Sequence, residues 1–272
     1  MSINLFLMYK ILIYLVLILF SLSCSKENIK KSTINEKSLD LQVIEAYQEG
    51  MKSLNQGDAL YAAKKFNEAE ILFPQSPWAP KSALMAAYSY YSQDYYLDGI
   101  QELNRFIKVY PNHKHISYAY YLLGISYYEQ IVDEKKDLES ILKAKETFNV
   151  LIKKYPKTEY SLDAEFKMDL IDDILAAKEI YVGRYYFQKK KWIPSINRFK
   201  TVINEYEKTI YVEEALHRLV EIYYTIGLTE EAKKYATLLG YNYQSSKWYE
   251  KSYMVFDKKY KKNKKIEMKK DK

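Results

Sequence analysis

The chain has 272 residues, 48% of them hydrophobic and 28% charged, with only seven glycines and six prolines. That composition suits helices joined by short links and counts against a β-rich or loop-rich fold. The net charge is +7, much of it in the last fifteen residues, so the rest is close to neutral and offers no basic groove for nucleic acid.

Residues 1–23 read as a secretory signal: Lys10, an apolar run from Ile11 to Phe20, then Ser23 before Cys24. Cys24 is the only cysteine, so no disulfide can form within the chain. The Ser23-Cys24 junction resembles the bacterial lipoprotein signal, in which the thiol is acylated and the chain is cut before it. Ser21 stands where that signal usually has Leu. The competing reading is an uncleaved anchor over residues 5–23, which Lys10 interrupts. Several acyl chains would make a stable anchor, where one would be marginal. Ser25 after the cysteine, rather than Asp, resembles passage to the outer membrane. Residues 24–40 are polar without a core pattern and read as a flexible tether.

The repeats begin at Leu41. The stretch from Ala62 to Pro74, AAKKFNEAEILFP, has small residues at Ala62 and Ala69, Phe66 between them and Pro74 at the end. This is the second half of a tetratricopeptide repeat: small residues let two helices approach, the ring fills the gap, and proline ends the helix. Ala46, Gly50 and Ser53 face it from the first helix, and Asp58 is the expected N-cap. Repeat two carries Ala83, Ala87 and Tyr90, then Gly99, Leu103 and Phe106; Gly99 is expected to allow close helix approach. Repeat three places Gly124 against Ala144 and Phe148, with a long loop from Ile131 to Leu138. Ser161 to Ala177 is an additional helical stretch leading to repeat four, with Gly183, Ser195 and Phe199. Repeat five spans Val212 to Tyr243, and Lys247 to Phe256 reads as a helix capping the open end. From Asp257 the chain is a basic tail: a solvated tail or a contact with anionic lipid. The fold expected is all-α, a solenoid of about five repeats: 41–160 on the substrate side, 161–256 on the scaffold side, and 257–272 disordered.

The segments 118–137, 178–200 and 212–249 go beyond the generic repeat pattern. Behind a lipoprotein signal they resemble the BamD family, lipoprotein subunits of the β-barrel assembly machinery in the bacterial outer membrane, in its alphaproteobacterial form. The family often has Arg after the Asp of the 131–138 loop; Lys135 and Lys136 stand here, so the resemblance carries no bidentate contact over. The resemblance implies a non-enzymatic scaffold without cofactors apart from lipid on Cys24. Its first repeats would receive the targeting segment of unfolded outer-membrane proteins. Its last repeats would hold a periplasmic domain of the BamA-type barrel subunit, beside other lipoproteins of the complex. The alternative is another periplasmic repeat lipoprotein serving peptidoglycan or division proteins.

Two surfaces follow. First-helix positions one turn apart line the inner face: Tyr47, Met51 and Asn55, then Leu84, Tyr88 and Tyr91, then Tyr121, Ile125 and Tyr128. Tyrosine gives a broad apolar face and few rotors to freeze, which suits an extended peptide of varied sequence. Arg198, one residue before Phe199, points off the seam and is the candidate contact to the barrel subunit. His113 and His115 lack further metal ligands and read as loop histidines; His217 reads as a helix-surface residue. No phosphate loop or nucleophile motif is present.

Overall fold

The computed structural model describes residues 38–131 and 138–257. The expected signal, the expected acylation site Cys24, most of the expected tether, the loop lysines Lys135 and Lys136 and the basic tail after Asp257 lie outside the described residues. Eleven helices occur among the described residues. They are α1 (Leu39–Asn55), α2 (Ala59–Leu72), α3 (Trp78–Tyr91), α4 (Tyr96–Val109), α5 (Ile116–Glu129) and α6 (Glu139–Lys154). Then come α7 (Glu159–Gln188), α8 (Trp192–Glu205), α9 (Val212–Thr225), α10 (Thr229–Asn242) and α11 (Lys247–Phe256). Each helix packs on the next, α3 also on α1 and α5, and α5 on α7. This is an all-α repeat solenoid. None of these helices is long and apolar enough to cross a membrane.

The frame comes from paired volumes. A Cβ on Gly50 would stand 2.9 Å from the Phe66 ring, on Gly124 2.4 Å from Phe148, and on Gly183 2.6 Å from Phe199. All three rings are fully buried. Where the second helix brings a phenylalanine, the first gives up its side chain. In repeat two Ala87 takes the glycine place and Leu103 the phenylalanine place, both buried in one core. Burying such a ring supplies roughly 2–3 kcal/mol of transfer free energy.

Gly99 corrects the expectation of forced close approach. A Cβ there would meet Ala87 O and Tyr91 N at 3.6 Å, ordinary contact, so alanine fits. The turns repeat as well. Gly57 and Gly227 adopt φ of 82° and 86°, and at the matching places Asp94 and Lys190 adopt 63° and 55° without glycine's freedom. Asp58 caps α2, accepting from Tyr61 N at 3.0 Å.

The stretch from Ser161 does not stop before repeat four. It is one helix of 30 residues, α7, opened by a capping box in which Thr158 and Ser161 bond each other's backbone. Ala164 and Ile171 pack in the core with Phe148, while Ile180 packs in the next core with Phe199. A single rigid element therefore joins the two halves of the array.

Buried glutamates clamp two seams. Glu70 on α2 accepts two bonds from Arg105 on α4, at 2.8 and 2.7 Å, and one from Tyr110 at 2.8 Å. Glu214 on α9, 4% exposed, accepts from Arg184 on α7 and from Arg218. Burial alone would raise the Glu214 carboxyl, but the bonds and charges of Arg184 and Arg218 outweigh it and hold it low.

His217 is not a surface residue. It is 3% exposed beneath α11, with Nδ1 2.9 Å from Ser252 Oγ and its ring 5.2 Å from Trp248. Its Nε2 lies 3.4 Å from Glu221. Burial pushes its pKa down to about 4, so the ring is neutral at neutral pH and joins the capping helix to repeat five.

Candidate functional site

Helix α3 sends Lys81, Leu84, Met85 and Tyr88 to one face, because residues three and four apart stack along a helix. The start of α5 brings His115 and Tyr118 to the same place, and the start of α7 brings Tyr160. Together they bound a cavity of about 430 Å³. Tyr118 and Tyr160 stand 5.3 Å apart, and Tyr121 lies 5.5 Å from Tyr160. Tyr121 donates to Asp163 Oδ2 at 2.7 Å, which fixes the cluster against α7.

Burial raises the phenols of Tyr118, Tyr121 and Tyr160, the last two also through carboxylate bonds. All three stay protonated at neutral pH; Tyr121 and Tyr160 give their O–H to carboxylates, and Tyr118 can donate to a carbonyl. Lys81 lies at the edge, its ammonium 4.7 Å from the rings of both Tyr47 and Trp78. The walls are mostly aromatic or aliphatic, with donors at defined points, which is the usual build of a ligand cleft.

The nine positions expected on this face divide. Leu84 and Tyr88 line the cavity. Tyr121 belongs to the adjoining cluster. Tyr47 is a core residue, packed edge-on to Phe66 at 5.2 Å and against Trp78 at 5.0 Å. Ile125 is buried with Phe148. Met51 packs on the first core, and Asn55 is exposed at the end of α1. Tyr91 packs against Tyr96 at 5.9 Å and touches two cores, so it serves the repeat joint. Tyr128 lies under Lys167, 5.4 Å from its ammonium.

Lys81, Met85, His115, Tyr118 and Tyr160 complete the cavity and were not among the nine. His115 and Tyr160 belong to helix starts rather than helix faces. The signal for Tyr160 is its place just after the N-cap Thr158. Tyr118 lies one turn before Tyr121 in YAYY and could have been found from that spacing.

Arg198 lies on α8 off the Phe199 seam, half exposed. It is already paired within the chain, NH1 donating to both oxygens of Glu179 on α7 at 3.1 Å. Nearby, between α7 and the end of α8, Asp169, Asp172, Asp173, Glu205 and Glu207 surround a second cavity of about 300 Å³. Lys145 pairs with Asp172 at 2.5 Å. Among the described residues no group of three or more His, Cys, Asp or Glu side chains is placed to hold a metal ion.

Comparison with known proteins gives a consistent result. Residues 39–238 match the family model YfiO, described as an outer membrane lipoprotein. The chain is 40% identical over 225 residues to the outer membrane protein assembly factor BamD of Rickettsia prowazekii, covering 83% of this chain and 90% of that one. It is 38% identical over 228 residues to BamD of Caulobacter vibrioides, covering 84% and 74%. With BamD of Neisseria meningitidis it shares 30% identity over 217 residues, covering 76% and 81%.

Proposed function

This chain belongs to the BamD family of outer membrane protein assembly factors, and from that premise we propose that it is a lipid-anchored scaffold receiving unfolded barrel proteins on the tyrosine face of α3, α5 and α7. The single observation that supports this most is the cavity itself: one face of α3 and the starts of α5 and α7 converge on an apolar, tyrosine-rich recess with a protonated phenol at Tyr118. An extended segment presents alternate apolar side chains and backbone carbonyls, and such a recess meets both. The chain acts as a template and carries out no covalent chemistry.

Cys24 carries the anchor, and the repeats face the periplasm. Cys24→Ser is expected to lose outer-membrane fractionation; a variant that fractionates normally overturns the anchor. Arg198, with Glu179 as its resting partner, is the contact that the barrel subunit's periplasmic domain takes over. Arg198→Glu is expected to lower copurification of the barrel subunit, more strongly at low salt. Copurification unchanged at both salts removes Arg198 from the interface.

The receptor face is tested with a peptide of alternating polar and apolar residues ending in Phe. Binding to the full chain in phosphatidylcholine nanodiscs is expected at roughly micromolar affinity. Tyr88→Ala, at a partly exposed cavity position, is expected to weaken it several-fold while the helical circular dichroism holds. Unchanged affinity in a folded variant places the receptor elsewhere.

A further inference from the structure

We propose that the last repeat is a second membrane contact, specific for an anionic phospholipid surface: Leu238 and Tyr241 on α10 enter the headgroup region, and the lysines after Asp257 meet the phosphates. It rests on the anchor reading above only in expecting a bilayer nearby.

The capping helix leaves part of the end uncovered. A terminal repeat needs a cap or a polar outer face to stay in water. Helix α11 packs on α9 through Ser252 and Trp248, at 2.9 and 5.2 Å from His217, and through Phe256, 5.4 Å from Tyr224. Toward α10, Tyr249 fills the space over Gly240, where a Cβ would stand 2.7 Å from its ring. Beyond that contact α10 turns Lys234, Leu238 and Tyr241 outward, residues four and three apart on one face. Tyr241 is 84% exposed. Two cavities of about 520 and 500 Å³ adjoin it, both bordered by Lys233 and Thr237.

The charge comes from the adjoining sequence. Residues 258–272 hold nine lysines against Glu267 and Asp271, which is the whole net charge of +7. They follow directly on α11, whose Phe256 borders the larger cavity. On α10 itself Lys233 pairs with Glu230 at 2.9 Å and Lys234 with Glu231 at 2.5 Å, so that helix adds little net charge. The two parts are complementary. Nine lysines in fifteen residues match a dense field of phosphates, and each lysine near an anionic surface favours partitioning by about fivefold. The α10 face supplies an apolar side chain and a phenol, the kind of group that settles at the water–lipid boundary.

The experiment places a nitrobenzoxadiazole label at position 237 by Thr237→Cys, and in a control chain by Leu97→Cys, at an exposed site on α4. The chain without an added cysteine gives the background. Full chains are assembled in nanodiscs of phosphatidylcholine alone or with phosphatidylglycerol, each carrying a spin-labelled lipid. Quenching is expected at position 237 in the anionic discs, at background in the neutral discs and at position 97, and lost in high salt. Leu238→Ser with Tyr241→Ser is expected to lose it while the helical circular dichroism holds. So is a chain with Lys258→Gln, Lys259→Gln, Lys261→Gln and Lys262→Gln. Quenching that is equal in neutral discs or at position 97 overturns the proposal, as does quenching that survives either set of substitutions. Chains that enter both kinds of disc without quenching at position 237 overturn this contact and leave the anchor standing. Chains that enter the anionic discs only, with quenching at position 237, overturn the anchor and keep this contact. Chains that enter neither overturn both.

Discussion

Around α3, α5 and the start of α7 the surface offers Tyr88, Tyr118 and Tyr160 with Lys81 at the edge; between α7 and α8 it offers Asp169, Asp172, Asp173, Glu205 and Glu207. Beneath both surfaces the parts are alike. A glycine yields to a phenylalanine at Gly50, Gly124 and Gly183, and a buried glutamate clamps an arginine at Glu70 and at Glu214. The interior is therefore a repeated solution to packing. What differs is the outward chemistry, apolar and donor-bearing in one region and anionic in the other. One frame carries both surfaces because α7 runs through both regions as a single helix.

The clamps are the costliest place to break that likeness. Glu70→Ala and Glu214→Ala each remove a buried carboxylate and strand its arginine, at about 3 kcal/mol, since Arg105 and Arg184 are partly exposed and can rehydrate. Urea denaturation should give similar losses at the two seams. A loss at one seam only would mean the halves are not built alike.

Smaller, and opposite in sign, are two glycine substitutions. Gly124→Ala forces a Cβ into the Phe148 ring and should destabilise by about 2 kcal/mol. Gly99→Ala meets only ordinary contacts and should stabilise by roughly 0.5–1 kcal/mol through helix propensity. Thermal melts of the pair decide it; equal shifts would contradict the volume pairing.

The last of the three concerns the cap. His217 has a folded pKa near 4, below its ordinary 6.5, so the unfolded chain takes up the proton first. Its contribution is complete above about pH 6.5 and is lost as the pH falls toward 4, amounting to roughly 3 kcal/mol. Glu221, Arg218, Lys251 and Glu214 also bear on the ring. Glu214, held below 4.5, loses its contribution only at lower pH. His217→Gln should flatten the stability slope between pH 6.5 and 4; an unchanged slope would assign that window to other groups.

The frame was readable in the sequence because it is periodic. Ala62, Phe66 and Pro74 set a register, and Gly50, Gly124 and Gly183 fall where that register puts them. Asp58 was readable as a cap from its place after Gly57. The misplacements all involve contacts the register does not count. His217 is covered by α11, which lies thirty residues further on and belongs to no repeat. Counting one face of each first helix put Tyr47 and Ile125 toward a ligand. Each of these first helices packs on both its partner and the neighbouring repeat, so part of that face is core. Tyr160 and His115 escaped notice because helix starts have no face in a periodic alignment. Gly99 shows that glycine at a register place for small residues can carry no steric demand.

The central claim is that the tyrosine face, and not the acidic one, meets the unfolded substrate. Benzoylphenylalanine placed at position 88, 118 or 160 keeps an aromatic ring in the cavity and cross-links on illumination whatever lies there. In cells making an outer-membrane barrel protein, adducts with that protein are expected at these three positions and not at position 172 or 205. Adducts at 172 and 205 with none at 88, 118 and 160 would contradict the account.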